Sequence, residues 1–172
     1  MEFLEKDLEQ LIWEADKEKL NERGLYIPGK LKRQLRIGNY GVADLVSFER
    51  EIYYESGIDT IFKYPFLRIT VYELKKEKIG ISAFLQAINY CKGIKTYIEK
   101  NKPNMSYSLN VVLVGKSIDN SGSFIYLEDL INQDSYKPTN ALNSVNFYTY
   151  KYSLEGLKFK SESAYNLTNK GF

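Results

Sequence analysis

The chain contains no histidine, and this absence restricts the chemistry open to it. It excludes histidine general bases, Ser–His and Cys–His nucleophile pairs, and metal sites built on imidazole. The single cysteine, Cys91, excludes an internal disulfide. No apolar run approaches the roughly 18 residues that a membrane-spanning helix needs, and the acidic amino terminus predicts no signal peptide. We therefore expect a soluble cytoplasmic protein without a membrane partner, in which any hydrolysis rests on carboxylates, lysine and a hard cation.

The overall charge is also close to balanced. A net charge of +2 is too small to indicate a polyanionic partner by itself, because nucleic-acid-binding domains often carry a clear basic excess. The length of 172 residues and the ordinary globular composition predict one domain over 1–172. A partner therefore has to be inferred from where the charges lie.

Two strand-like segments carry charges among apolar residues. In Ile69–Lys75, side chains alternate between faces, so Glu73 and Lys75 share a face. In Tyr40–Phe48, an acid, Asp44, interrupts an apolar run. An internal ion pair is one explanation, but one lysine cannot neutralise two acids. If the two carboxylates converge, their repulsion favours a divalent cation with oxygen ligands, such as Mg²⁺.

The amino-terminal segment predicts one amphipathic helix from Met1 to about Leu20. Its apolar stripe is Leu4, Leu8, Leu11, Ile12 and Ala15. Glu5 lies at the edge of that stripe and could lean toward a site on the sheet. Glu9 lies further round the helix, and the pattern leaves open which of the two is the functional acid.

The segment Lys30–Arg36 alternates basic with apolar residues and predicts a strand with its cations on one face. Those cations are Lys30, Lys32, Arg33 and Arg36. They suggest either an edge that contacts phosphate or an exposed edge strand protected by charge. This strand is expected to pair antiparallel with the Asp44 strand. The following segment, residues 49–68, fits either an extra hairpin or a flap.

A second helix is predicted from about Ser82 to Lys100, with Ser82 as its N-cap. Its buried stripe is Phe84, Leu85, Ile88, Cys91, Ile94 and Ile98. Gln86 and Tyr90 stand four residues apart on one flank and can act together, or they are only a surface pair. Ser108–Gly115 predicts a buried strand parallel to the one before this helix. A short helix over 124–133, a strand over 145–152, and a strand followed by a loose end over 156–172 complete the chain.

The order helix, three strands, helix, strand, with acids on the second and third strands, resembles the PD-(D/E)XK nuclease superfamily. The signature residues are Asp44 and Glu73-Leu74-Lys75, although Ala43 stands where the strict motif has proline. Three further motifs resemble the RecB-type and archaeal Holliday-junction-resolvase-type branches: Glu5–Leu8 (E-x-x-L), Gly41–Leu45 (G-x-x-D-L) and Gln86–Tyr90 (Q-x-x-x-Y). The resemblance spans about Glu5 to Gly115 and leaves 116–172 as an extension. It implies an α/β fold with a mixed central sheet flanked by helices and a restriction-endonuclease-like αβββαβ core.

The resemblance also implies a function. Asp44, Glu73, the carbonyl of Leu74 and Glu5 would bind Mg²⁺, with Mn²⁺ as a substitute, and Lys75 would orient the attacking water or stabilise phosphoryl charge. Gln86 and Tyr90 would position the substrate. The implied activity is hydrolysis of phosphodiester bonds in nucleic acid, with DNA expected before RNA and with a homodimer as an option. The alternative is a non-catalytic module on the same fold that binds nucleic acid or protein.

Overall fold

The structure is a computed structural model that describes residues 3–119, 126–131 and 137–163. Its helices are α1 (Glu5–Glu14), α2 (Lys17–Glu22), α3 (Ile81–Asn101) and α4 (Leu127–Ile131). Its strands are β1 (Lys30–Arg36), β2 (Val42–Ser56), β3 (Ile61–Leu74), β4 (Lys78–Ile79), β5 (Tyr107–Gly115), β6 (Ser117–Ile118), β7 (Leu142–Ser153) and β8 (Gly156–Glu162). The remainder of the helix predicted over 124–133 and the loose end from 164 onward lie outside the described residues.

Six strands form one mixed sheet in the order β1-β2-β3-β5-β7-β8. The central strands β3, β5 and β7 are parallel, whereas the pairs β1–β2, β2–β3 and β7–β8 are antiparallel. The short strands β4 and β6 form a separate parallel pair beyond the carboxyl ends of β3 and β5. The predicted α/β fold with a mixed sheet flanked by helices is confirmed. The predicted parallel pairing of β5 with the strand that carries Glu73, β3, is also confirmed.

The sheet has a hydrophobic core on each face. On one face, α3 packs Ala87, Cys91 and Ile94 against strand residues such as Val71 and Leu113. On the other face, α1 and α2 pack residues that include Leu8, Ile12 and Leu20 against strand residues that include Leu45, Tyr72 and Val114. Each fully buried side chain of this kind contributes about 1.5–3 kcal/mol. The two cores hold the carboxyl ends of the central strands in place between the helices.

The prediction of one amino-terminal helix to about Leu20 is wrong, because the segment forms two helices. Ala15 has an extended ψ of 143°, and the Asp16 side chain accepts hydrogen bonds from the backbone amides of Glu18 and Lys19. Asp16 therefore begins α2 as an N-cap. The buried stripe of α1 is also narrower than predicted, since Leu8 and Ile12 are buried while Leu4 and Leu11 are 38% and 37% exposed.

The start of α3 also differs from the prediction. The N-cap position is Gly80, with no side-chain cap, so Ser82 lies in the first turn of the helix rather than at its cap. Leu85 is 57% exposed and does not belong to the buried stripe, in which small residues, Ala83 and Ala87, instead meet the sheet.

Residues 49–68 continue the β2–β3 hairpin. The pairing runs without a break from Leu45–Tyr72 to Ser56–Ile61. Because β1 pairs only with residues 42–48 and β5 only with residues 67–74, residues 49–66 form a two-stranded extension, here termed the outer hairpin. No helix in the described part of the chain is long and apolar enough to cross a membrane.

Candidate active site

The carboxyl end of β3, the start of β2 and the start of α1 meet at one place. Leu45 pairs with Tyr72, so the next residues in the register, Asp44 and Glu73, are neighbours on adjacent strands. The backbone amide of Leu74 donates to Asp44 Oδ2 at 3.1 Å. The two predicted acids therefore come together at one end of the sheet.

Glu73 is a buried carboxylate with one satisfied oxygen. Its residue exposure is 1%, Oε1 accepts a hydrogen bond from Lys75 Nζ at 2.7 Å, and Oε2 has no hydrogen-bond partner among the described residues. Burial raises the pKa of Glu73 to about 7; the hydrogen bond from Lys75 opposes this rise, and the charge of Asp44 adds to it. An acid with this pKa and an open oxygen is suited to bind a cation or a proton at neutral pH.

Glu5 is the acid of α1 that reaches Lys75. Glu5 Oε1 lies 3.7 Å from Lys75 Nζ, and Oε2 accepts a hydrogen bond from the backbone amide of Lys76 at 3.3 Å. Glu9 has a different role, because it is buried and binds Arg33 Nε and Gln34 Nε2. Of the two acids that the sequence left open, Glu5 is therefore the one in contact with the lysine.

The electrostatics of Asp44 and Lys75 follow from this cluster. Burial raises the pKa of Asp44, the hydrogen bond from Leu74 opposes that rise, and the charges of Glu5 and Glu9 add to it. Burial alone would lower the pKa of Lys75, but its hydrogen bond to Glu73 and the nearby carboxylates outweigh burial, so the net direction is upward. Lys75 is therefore an ammonium group and a hydrogen-bond donor at neutral pH, not a general base.

A backbone irregularity beside Asp44 was not evident from the sequence pattern. Arg33 and Gln34 are consecutive in β1, yet both side chains bind Glu9. Gln34 has φ 48°, in the left-handed region that side chains other than glycine rarely adopt, and the β1–β2 register places it opposite Asp44. The strained residue thus directs its side chain to Glu9, and no simple alternation of residues signals it.

Arg33 also departs from the predicted basic face of β1. Lys30, Lys32 and Arg36 are exposed, whereas Arg33 is half-buried and ion-paired with Glu9. The expectation that all four cations share one exposed face is therefore wrong for Arg33. The other three remain exposed on an edge strand, and their contact with phosphate stays a prediction.

Gln86 and Tyr90 of α3 form a hydrogen-bonded pair. Gln86 Nε2 donates to Tyr90 Oη at 2.7 Å; Tyr90 is buried, whereas Gln86 is exposed. Burial raises the pKa of Tyr90. The hydrogen bond from Gln86 opposes this rise, and the charges of Glu73 and Asp44 raise the pKa further. The hydroxyl therefore lies in the field of both acids.

Gly41, the glycine of the predicted G-x-x-D-L motif, makes room for Tyr90. It has φ 110°, and a Cβ atom at this position would lie 3.0 Å from Tyr90 Cε1. The backbone conformation therefore favours glycine here, and the close approach of the ring adds to that preference.

The residues that could hold a metal are those that the sequence resemblance implied: Asp44, Glu73, the Leu74 carbonyl and Glu5. Within residues 3–119, 126–131 and 137–163, no group of three or more histidine, cysteine, aspartate or glutamate side chains is arranged to hold a metal ion. The open, buried Oε2 of Glu73 and the repulsion from Asp44 nevertheless fit a hard cation, which would satisfy the oxygen and offset the like charges. A site of two carboxylates with a main-chain carbonyl and water suits Mg²⁺.

A comparison of the chain with protein-family models, curated proteins and solved structures finds no match.

Proposed function

We propose that the chain is a metal-dependent nuclease of the PD-(D/E)XK type that hydrolyses phosphodiester bonds in nucleic acid, with DNA as the preferred substrate. The observation that supports it most is the open Oε2 of Glu73 beside Asp44, with Lys75 Nζ 2.7 Å from the other oxygen. Two strand acids, a lysine two residues after the second acid, and a helix acid near that lysine make up the set that the resemblance implies for such hydrolysis.

Each residue of the site has a distinct task in this proposal. Glu73 and Asp44 would hold Mg²⁺ or Mn²⁺ together with the Leu74 carbonyl, and Glu5 would hold Lys75. When bound, the divalent cation would stabilise negative charge on the phosphate and lower the pKa of a bound water. Lys75, as an ammonium group, would orient that water and donate to the phosphate oxygen on which charge develops. Tyr90, fixed by Gln86, would position the scissile strand.

A second candidate is a non-catalytic module that binds nucleic acid or protein. It is favoured by the finding that the described residues lack a three-carboxylate metal group and that Lys75 already occupies one oxygen of Glu73. In that case the charge cluster would be a structural ion-pair network. The two candidates differ in one measurable property, which is metal-dependent strand cleavage.

The deciding experiment incubates purified protein with end-labelled single-stranded, double-stranded and branched DNA and with RNA, in Mg²⁺, Mn²⁺ or chelator. We expect cleavage only with a metal, and a loss of at least about a thousandfold in Lys75→Ala and Glu73→Gln. Lys92→Ala, which removes an exposed lysine of α3, is the matched control and should cleave like the wild type. If the folded wild type cuts none of these substrates with either metal, or if Lys75→Ala cuts equally well, the nuclease proposal is wrong.

A further inference from the structure

A basic groove lies on the carboxyl-terminal part of the sheet, outside the segment that resembles the nucleases. It is a cavity of about 710 Å³ between β6, β7 and β8. Its lining contains four lysines, Lys116, Lys151, Lys158 and Lys160, and one acid, Glu162. The local charge of +3 exceeds the net charge of +2 of the whole chain. The lining of the groove therefore carries an excess of positive charge.

The β7–β8 hairpin forces two of these lysines together. Lys151 pairs directly with Lys158, and Thr149 pairs with Lys160 on the same face. Like charges that stand directly opposite each other on antiparallel strands destabilise the pairing. The exposed partners of Lys158 and Lys116, Glu155 and Glu77, offset this little, because exposed ion pairs are weak in water. An anion bound in the groove would remove the repulsion.

Glu162 adds a buried acceptor to the groove. It is 4% exposed, and its Oε1 accepts a hydrogen bond from Thr149 Oγ1 at 2.9 Å and lies 3.4 Å from Lys160 Nζ. Its Oε2 has no hydrogen-bond partner among the described residues. A buried acceptor left unpaired costs about 1–3 kcal/mol, so a ligand that donates a hydrogen bond here gains affinity. The groove thus suits a ligand that carries both phosphates and N–H or O–H donors, as a nucleotide chain does.

The groove and the candidate active site share one row of the sheet. Glu73 pairs with Leu113, Leu113 with Phe147, and Phe147 with Glu162. Paired residues lie on the same face, so Glu73 and Glu162 both face the α3 side, separated by three strand spacings, or about 14 Å. This distance corresponds to about four nucleotides along one strand of B-form DNA, at 3.4 Å per nucleotide.

We propose that the groove of Lys116, Lys151, Lys158 and Lys160 binds the phosphodiester backbone of a nucleic-acid strand about four nucleotides from the bond held at Glu73 and Lys75. The proposal rests on the proposed nuclease function for its substrate, but binding and cleavage are separate measurements. The lysines hold the phosphates, and Glu162 fixes Lys160 and accepts a hydrogen bond from a base or a sugar hydroxyl.

The test measures binding without cleavage. Fluorescently labelled single-stranded and double-stranded 16-nucleotide DNA, and RNA of the same sequence, are titrated with protein in chelator at several salt concentrations. We expect Lys151→Ala/Lys160→Ala to raise Kd about tenfold and to reduce the slope of log K against log salt by about 0.7–0.9 for each lysine removed.

Lys92→Ala/Lys100→Ala removes the same charge from exposed positions of α3 and is the matched control. If this control weakens binding as much as the groove variant, net charge rather than the groove explains binding, and the proposal is overturned. It is also overturned if the groove variant keeps the wild-type Kd, or if the wild type binds none of the three probes. If the groove variant alone loses binding while no protein cleaves with Mg²⁺, the groove stands and the nuclease proposal fails.

Discussion

Lys75 Nζ donates to Glu73 Oε1 at 2.7 Å, and this contact joins an ammonium group to a carboxylate that is only 1% exposed. The lysine side chain is itself 25% exposed and has Glu5 as a second carboxylate at 3.7 Å. The buried acid therefore depends on a partner at the border of the solvent. Its protonation state and its contribution to stability are thus coupled to that one contact.

The free energy of unfolding of the metal-free protein should fall as the pH rises from about 4.5 to about 7. The pKa of Glu73 is about 7 in the folded protein against an ordinary value of 4.5. Between these values the folded state binds more protons than the unfolded state. The contribution of Glu73 to the free energy of unfolding is therefore fully present below pH 4.5 and is lost as the pH rises through 7. The loss is on the order of 3 kcal/mol. Urea unfolding in chelator from pH 4 to 8 should show this decline in the wild type and not in Glu73→Gln. Glu99→Gln, at an exposed position of α3, is the control, and parallel curves for wild type and Glu73→Gln would contradict the prediction.

Lys75→Met should destabilise the metal-free protein more at pH 8 than at pH 5. At pH 8 the variant leaves a buried carboxylate without its cation, which costs about 3–5 kcal/mol. At pH 5 Glu73 binds a proton instead, so the substitution lowers the free energy of unfolding by less. The double variant Lys75→Met/Glu73→Gln should recover most of the stability at pH 8. Denaturant midpoints at the two pH values test this, and an equal cost at both would show that Lys75 acts through packing alone.

Gln34→Gly should be more stable than Gln34→Ala. Both variants lose the hydrogen bond from Gln34 to Glu9, but only alanine keeps the cost of a side chain at φ 48°. A residue in this region costs about 1–2 kcal/mol more than glycine. Thermal unfolding of the two variants isolates the strain, since they differ by one methyl group. If alanine equals or exceeds glycine in stability, the backbone at Gln34 is not strained.

Gly41→Ala should destabilise the folded protein more than Gly38→Ala does. Both glycines have positive φ, but a Cβ atom at Gly38 meets nothing within 4 Å, whereas one at Gly41 lies 3.0 Å from the Tyr90 ring. The backbone of Gly41, with φ 110° and ψ −159°, is also open to almost no residue but glycine. We expect about 1 kcal/mol of destabilisation at Gly38 and about 2–4 kcal/mol at Gly41. A fluorescence or NMR signal from Tyr90 should change only in Gly41→Ala.

The strand order around the site could be predicted because it depends on elements that follow one another along the chain. Glu73 lies near the end of β3 and Lys75 directly follows that strand, so alternation along the extended chain predicts their shared face. β5 is an unbroken apolar run, and the α3 crossover before it predicts its parallel pairing. Asp44 lies on β2, which is adjacent to β3 both along the chain and in the sheet, so its position beside Glu73 followed from the pairing of these two strands. The predicted meeting of these residues agrees with the structure for that reason.

The parts that could not be predicted depend on single residues that override a pattern. The left-handed backbone of Gln34 redirects a side chain that alternation would place elsewhere. Asp16, a capping residue followed by Lys17–Glu22, was a readable signal for the helix break that the apolar stripe concealed. The basic groove required the pairing of Lys151 with Lys158, which follows from the turn at Leu154–Gly156 and from no spacing along a single strand.

Within the described part of the chain, the two strands of the outer hairpin pair only with each other, whereas the inner parts of β2 and β3 have neighbours on both sides. An isolated two-stranded ladder is marginally stable in water, so amide hydrogens at Tyr53 and Tyr64 should exchange with deuterium far sooner than those at Leu45 and Tyr72 on the same strands. Each of these two strands therefore runs from a part that opens only with the whole molecule to a tip that opens alone.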